Sequence, residues 1–149
     1  HLLVIGTGEL QDPAQAFARD HELPVTFAGF LNQSEIAAAY VAGDALVLPS
    51  DFGETWGLVV NEAMACGRPA IVSDRVGCGP DLVVAGETGA VFPFGDTEVL
   101  ARVLTEWSAD PGKLRAMGER ARRHVLAGYS AEHAVEGTLR AVRSIGQAR

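Results

Sequence analysis

Two carboxylates and a glycine form the most chemically suggestive group in this 149-residue sequence. They lie in the stretch PSDFGETWGLVVNEAMACGRPAIVSD, as Glu54, Gly57 and Glu62. The apolar pattern after Gly57 predicts a helix over roughly 58–66, so Glu54 precedes it and Glu62 lies about one turn inside it. Glycine at the helix entrance lets a ligand approach the backbone closely. The N–H groups of Gly57, Leu58 and Val59 would then point outward, unsatisfied and aligned with the helix dipole, as a cradle for a diphosphate. A carboxylate accepts hydrogen bonds from two adjacent hydroxyls. At ~1.5 Å rise per residue, Glu62 stands roughly 7 Å along the helix from Gly57, about the separation between a diphosphate and a ribose diol. Glu54 would face the other side, where a sugar could hang. Spacing alone leaves a second reading open, in which both are ordinary acids favoured by a helix N-terminus.

Other reactive residue types form weaker patterns. The GTGEL stretch at Gly6 and Gly8 lacks the third glycine of a dinucleotide-binding turn, and no acidic partner follows a second strand. Histidines 1, 21, 124 and 133 share no motif. Ser50 and Asp51 sit at no nucleophile elbow. Cys66 and Cys78 are too few for a disulfide framework or a zinc site, and two reduced thiols fit a cytosolic protein. No metal-ligand cluster is visible.

These residues need elements to hold them. Leu2–Ile5 predicts a buried strand broken by Gly6-Thr7-Gly8, and Asp12-Pro13 a helix start with Asp12 as N-cap. A second strand follows at Val25–Ala28. Asn32 and Glu35 make a capping box before IAAAYVAG. Further strands are predicted at Ala45–Leu48, Ala70–Ser73 and Ala90–Phe92, with a glycine-rich turn, VGCGPD, after the fourth. From Asp96 the pattern changes to three helices, about 97–108, 112–127 and 131–146, with Asp110-Pro111 and Ser130 as starts. Strands alternating with helices predict a Rossmann-like, doubly wound α/β domain with a parallel sheet, followed by C-terminal helices. Ligands bind such sheets at the carboxyl ends of the strands, which selects the loops 6–9, 29–33, 49–57 and 73–81.

Size and charge narrow the classes further. The length suits one domain, and 48% hydrophobic residues suffice for a single core. No run approaches the ~18 apolar residues of a membrane span. A formal net charge of −7 argues against nucleic acid as a partner. Residues 1–100 hold 3 basic and 14 acidic residues, whereas residues 101–149 hold 9 basic and 5 acidic. The basic tail leaves two readings open, peripheral contact with an anionic membrane and a solvated helical face. His1 opens directly into an apolar strand, so the sequence reads as a truncated or excised domain.

The segment Glu54-Thr-Trp-Gly-Leu-Val-Val-Asn-Glu62 resembles the E-x7-E signature of the family 4 retaining glycosyltransferases of the GT-B fold. The likeness extends to Pro49-Ser50, to Ala63-Met64-Ala65-Cys66-Gly67, to Pro69–Ser73 and to GPDLVVAGETGAVFPFGD, and runs through the final helices. The resemblance implies the C-terminal, donor-binding half of such an enzyme. Glu62 would bind the ribose hydroxyls. Glu54, as candidate catalytic residue, and the backbone of Thr55, Trp56 and Gly57 would hold the donor sugar. Leu58 and Val59 would offer N–H groups to the distal phosphate, and the backbone near Leu31 would meet the base. Gly6 and Gly8 look like the glycine turn beside the nucleotide, with a plain tight turn as the open alternative. Trp56 stands where the family often has Phe, and would wall the sugar pocket or join the core.

The resemblance also implies transfer of a sugar from a nucleoside-diphosphate sugar to a hydroxyl acceptor, with retention, without cofactor or metal. Two alternatives share the architecture: a nucleotide-sugar-binding module without chemistry, and a nucleotide-sugar epimerase. Family members begin this domain with a further strand and helix, bearing an Arg and a Lys that contact the diphosphate. An N-terminal acceptor domain precedes those. Neither is expected in this chain, whose one lysine is Lys113. In a doubly wound sheet that first strand is central, flanked by Leu2–Ile5 and Ala45–Leu48. Its absence would leave the two halves to close up, to borrow a strand within an oligomer, or to stay open.

Overall fold

The computed structural model describes residues 1–147. The chain divides into two compact units, His1–Ala39 and Tyr40–Arg149. In the first, strand β1 (Leu2–Ile5) pairs in parallel with β2 (Val25–Gly29), and helix α1 (Gln11–Asp20) connects them. Helix α1 starts earlier than the Asp12 expectation. Gln11 N–H donates to the Gly8 carbonyl at 3.0 Å, so Leu10 becomes the cap and Asp12 falls in the first turn. The capping box at Asn32 forms as read: Asn32 Oδ1 accepts from Ser34 N–H at 2.9 Å, and Glu35 Oε2 accepts from Asn32 N–H at 3.3 Å. Helix α2 (Ile36–Ala42) follows. Ala18 is the one buried residue among those of the first unit. A two-stranded parallel sheet cannot cover its own faces, since such sheets rely on layers on both sides.

The second unit has a fuller core. Strands β3 (Leu46–Leu48), β4 (Ala70–Ser73) and β5 (Gly89–Phe92) form a parallel sheet in the order β3-β4-β5. Strand β4 is central and buried along its whole length, as expected of a parallel strand covered on both faces. Its residues alternate between two clusters. Ala70 and Val72 join Val60, Met64, Leu82, Ala121 and Val125 on one face. Ile71 joins Phe92, Trp107 and Met117 on the other. Full burial of one such aliphatic side chain contributes about 1.5–3 kcal/mol. Each sheet keeps an open edge: β1 pairs only with β2, and β3 only with β4, among the described residues.

Helix α3 (Leu58–Ala65) links β3 to β4. The VGCGPD turn after β4 winds into a short helix, α4 (Gly79–Leu82), absent from the sequence expectation. Pro80 pre-sets a helical φ there, and Leu82 N–H closes on the Cys78 carbonyl at 2.8 Å. The last three helices, α5 (Thr97–Ser108), α6 (Pro111–Gly128) and α7 (Ala131–Gln147), match the sequence reading closely. Asp96 caps α5 through Val99 N–H, and Asp110 caps α6 through Lys113 N–H, both at 2.9 Å. Ser130 Oγ accepts from His133 N–H at the start of α7.

Helix α6 crosses the turn between α3 and β4 at Gly118. A Cβ there would stand 2.0 Å from the Gly67 carbonyl oxygen, inside any allowed contact. Gly118→Ala should therefore lower the thermal midpoint, with about 1–3 kcal/mol of overpacking exceeding alanine's helix advantage of roughly 1 kcal/mol. Gly137 in α7 has open space around it. Gly137→Ala should raise the midpoint slightly, and calorimetric melting of both variants checks the pair of opposite signs.

Candidate donor site

The loops 49–57 and 74–78 leave the carboxyl ends of neighbouring parallel strands, β3 and β4. A ladder of bonds ties them together. Ser73 Oγ donates to the Ser50 carbonyl. Gly77 N–H donates to the Glu54 carbonyl at 3.3 Å and Cys78 N–H to the Trp56 carbonyl at 2.8 Å. Gly77 lies so near Thr55 that a Cβ on it would stand 1.9 Å from the Thr55 carbonyl oxygen. Asp51 Oδ1 folds the loop tip by accepting from Gly53 N–H at 2.9 Å. Arg75 stacks on the Phe52 ring at 4.2 Å and pairs with Asp74 at 3.4 Å.

Gly57 caps α3 with φ +98°, a left-handed conformation that glycine adopts at little cost. It is also buried: a Cβ would meet Val76 Cγ1 at 3.1 Å and Leu48 Cδ2 at 3.2 Å. No side chain caps the helix. The N–H groups of Leu58 and Val59 have no hydrogen-bond partner among the described residues, whereas Val60 N–H already closes on the Gly57 carbonyl at 2.9 Å. The helix thus begins with free donors and the positive end of its dipole. Val60, Ala63 and Met64 are buried on its inner face, and Glu62 is exposed.

The acids differ in surroundings. Glu62 Oε2 accepts a hydrogen bond from Tyr40 Oη at 2.8 Å. Burial, then the Glu62 carboxylate, pushes the Tyr40 phenol well above its ordinary value, so it remains a donor. Glu54 is half-buried, and its carboxylate makes no hydrogen bond among the described residues. Trp56 turns inward, packs against the core and donates from Nε1 to Asn61 Oδ1 at 2.9 Å. Of the two readings of Trp56, the core one describes its side chain, and its backbone stays in the loop. Cys78 is buried beside Gly57, and burial pushes its thiol up to about 11.

Three expected residues belong to the first unit. Gly6, at φ +109°, donates its N–H to the Gly29 carbonyl at 2.8 Å just beyond β1. Gly8 borders open space. Leu31, half-buried, follows β2. All three follow the carboxyl ends of strands in their own sheet. Sequence reasoning missed Tyr40, Asn61, Ser73 and Gly77. The glycine-rich VGCGPD turn marked the region of Gly77 without revealing what it touches. Tyr40 stood inside a helical pattern with nothing to indicate its partner 22 positions away.

Residues 1–124 match the family described as Glycosyl transferases group 1. The chain belongs to this family. It is 36% identical over 119 residues to the D-inositol 3-phosphate glycosyltransferase of Rhodococcus opacus (strain B4), covering 80% of this chain and 26% of that protein. Among solved structures, sucrose-phosphate synthase from Thermosynechococcus elongatus superposes with TM-score 0.85 at 30% identity, over 99% of this chain and 39% of that one. The C-terminal domain of a group 1 family glycosyl transferase from Francisella tularensis matches with TM-score 0.75 at 25% identity, over 87% and 69%. The chain thus spans about a quarter of the Rhodococcus relative's length, and its fold is that of GT-B C-terminal halves.

The glycine crossing makes the loop testable. Gly77→Ala should push the Thr55 segment away, lower the thermal midpoint, and speed amide exchange at residues 51–57 in hydrogen-exchange mass spectrometry. Exchange there at the parent rate would show that Gly77 does not hold the loop. Cys78 supplies a second test. Its raised folded value contributes stability that is present below about pH 9 and is lost as pH rises toward 11. At pH 8 a thiol reagent should therefore modify half-buried Cys66 well before Cys78, as read by peptide mass.

Proposed function

We propose that this domain binds a nucleoside-diphosphate sugar and, within a longer protein, serves its retaining transfer to a hydroxyl acceptor without a metal ion. The observation that carries the reading is the uncapped start of α3, with free N–H groups at Leu58 and Val59 between the acids Glu54 and Glu62. In this reading the distal phosphate lies on those donors. Glu62 accepts from the ribose hydroxyls and Glu54 faces the sugar, with the backbone of Thr55, Trp56 and Gly57. By resemblance to the family, Gly6, Gly8 and the backbone near Leu31 would meet the nucleotide and its base. Departure of the diphosphate builds negative charge where the helix points its donors, and stabilising that charge is the larger part of such catalysis.

The same reading assigns the remaining parts to a longer protein. In that reading the cations for the diphosphate come from other parts of the longer protein, and an acceptor domain orients the hydroxyl. Free thiols at Cys66 and Cys78 support a cytoplasmic setting. The 149-residue chain alone should then bind donor weakly and transfer no sugar. One lost electrostatic donor costs about 10²–10³ in rate. The acidic balance of residues 1–100 should make binding tighten as salt screens repulsion.

Two measurements test this. Glu62→Gln should weaken nucleoside-diphosphate binding in calorimetry by roughly 1.5–3 kcal/mol, the loss of a charge-assisted pair of bonds. Unchanged affinity would remove Glu62 from the site. A donor-consumption assay should show turnover only in a parent carrying the upstream half, unaffected by a chelator. Comparable transfer by the 149-residue chain alone would overturn the division of labour.

A further inference from the structure

We infer that Tyr40 is a positioning residue for the Glu62 carboxylate, which it holds in one orientation before any ligand arrives. The inference rests on the donor-site reading above. Glu62 lies on the exposed side of α3, where a glutamate ordinarily samples many rotamers. Here its Oε2 accepts from Tyr40 Oη at 2.8 Å, while the Tyr40 ring is buried and only 8% exposed. A buried ring has little freedom of its own, so the bond transfers rigidity to an exposed acid. The phenol's backbone is anchored as well. Arg68, just past the end of α3, donates from Nη2 to the Val41 carbonyl at 2.9 Å. The residue beside Tyr40 is thereby tied to the turn that follows the helix carrying Glu62.

The bond leaves the acid usable. A carboxylate has two oxygens and about four acceptor sites, and Tyr40 takes one of them. Oε1 and the remaining lone pairs stay available to a diol. Since the phenol keeps its proton, it stays a donor to Glu62 Oε2, while its own oxygen can still accept from a ligand hydroxyl. Ordering one rotamer-rich side chain in advance is worth about three- to tenfold in affinity.

The test is a double-mutant cycle on the full 149-residue chain, with UDP, GDP, ADP and dTDP as separate probes in NMR titrations. Tyr40→Phe keeps the ring and removes the hydroxyl. It should raise Kd for the nucleotide that binds by about three- to tenfold. In a Glu62→Gln background the same change should have little further effect, because the oriented charge is already gone. A purely structural tyrosine would behave differently: Tyr40→Phe would lower the melting midpoint and weaken binding by the same factor in both backgrounds. That result, or an unchanged Kd in the single variant, overturns the inference while leaving the donor site standing. Failure of all four nucleotides to bind the unmutated chain at millimolar concentration removes the donor-site reading, and this inference with it.

Discussion

The contact between Gly77 and the Thr55 carbonyl sets the path of the loop that carries Glu54 and leads into α3. It is a backbone-on-backbone crossing with no room for a methyl group. Two hydrogen bonds flank it, from Gly77 to Glu54 and from Cys78 to Trp56. Together they pin an irregular loop against the segment that leaves β4. A loop of that length would otherwise sample many conformations, at about 1–2 kcal/mol of backbone entropy per residue fixed. The crossing is available only because β3 and β4 are parallel neighbours, so that their exits emerge side by side. Sheet order therefore determines loop order, and loop order determines the entrance to α3.

Electrostatics within the second unit follow from what the loops leave unsatisfied. The free donors at Leu58 and Val59 are neutral groups, and the nearby acids carry negative charge. Arg75, the cation of loop 74–78, is engaged by Asp74 and by the Phe52 ring. An anionic ligand thus meets oriented dipoles rather than a dense positive field. Fixed dipoles act at short range and need no counter-ion, which suits a group whose charge changes during a reaction. Long-range attraction would have to come from elsewhere, since acidic residues dominate the first hundred positions.

Much of this was legible before any coordinates. Apolar runs located all five strands, most plainly β4, which is buried on both faces and so leaves no polar alternation to confuse. Asp96, Asp110 and Asn32 announced their helices through cap chemistry that depends only on near neighbours. Asp12 misled, because the turn from Gly8 to Gln11 closes the helix one step earlier, a backbone event with no side-chain signature. The acids and Gly57 were visible through their spacing. Gly77, Ser73 and Tyr40 were not, since each acts on a residue 22 or 23 positions away. Contacts of that range depend on tertiary register, which local patterns do not encode.

Helix α3 shows how one short element can serve the core and the site at once. Its far end is closed: Gly67 N–H bonds the Met64 carbonyl and Arg68 N–H the Ala63 carbonyl, both at 2.9 Å, with Gly67 at φ +74°. That pairing is a Schellman motif, and it satisfies carbonyls that would otherwise face into packed structure. At its near end no side chain caps it. The polar imbalance of the helix is therefore concentrated where Gly57 opens it. Val60, Ala63 and Met64, all fully buried, hold the rod between β4 and α6. Gly118 seats α6 against the Gly67 end. A shift of that seam would move α3 along its axis and displace Leu58, Val59 and Glu62 together. The core contacts of α3 thus control the geometry of the free N–H donors and of Glu62 as a single rigid group, while Glu54, held by Gly77, is set independently by the loop.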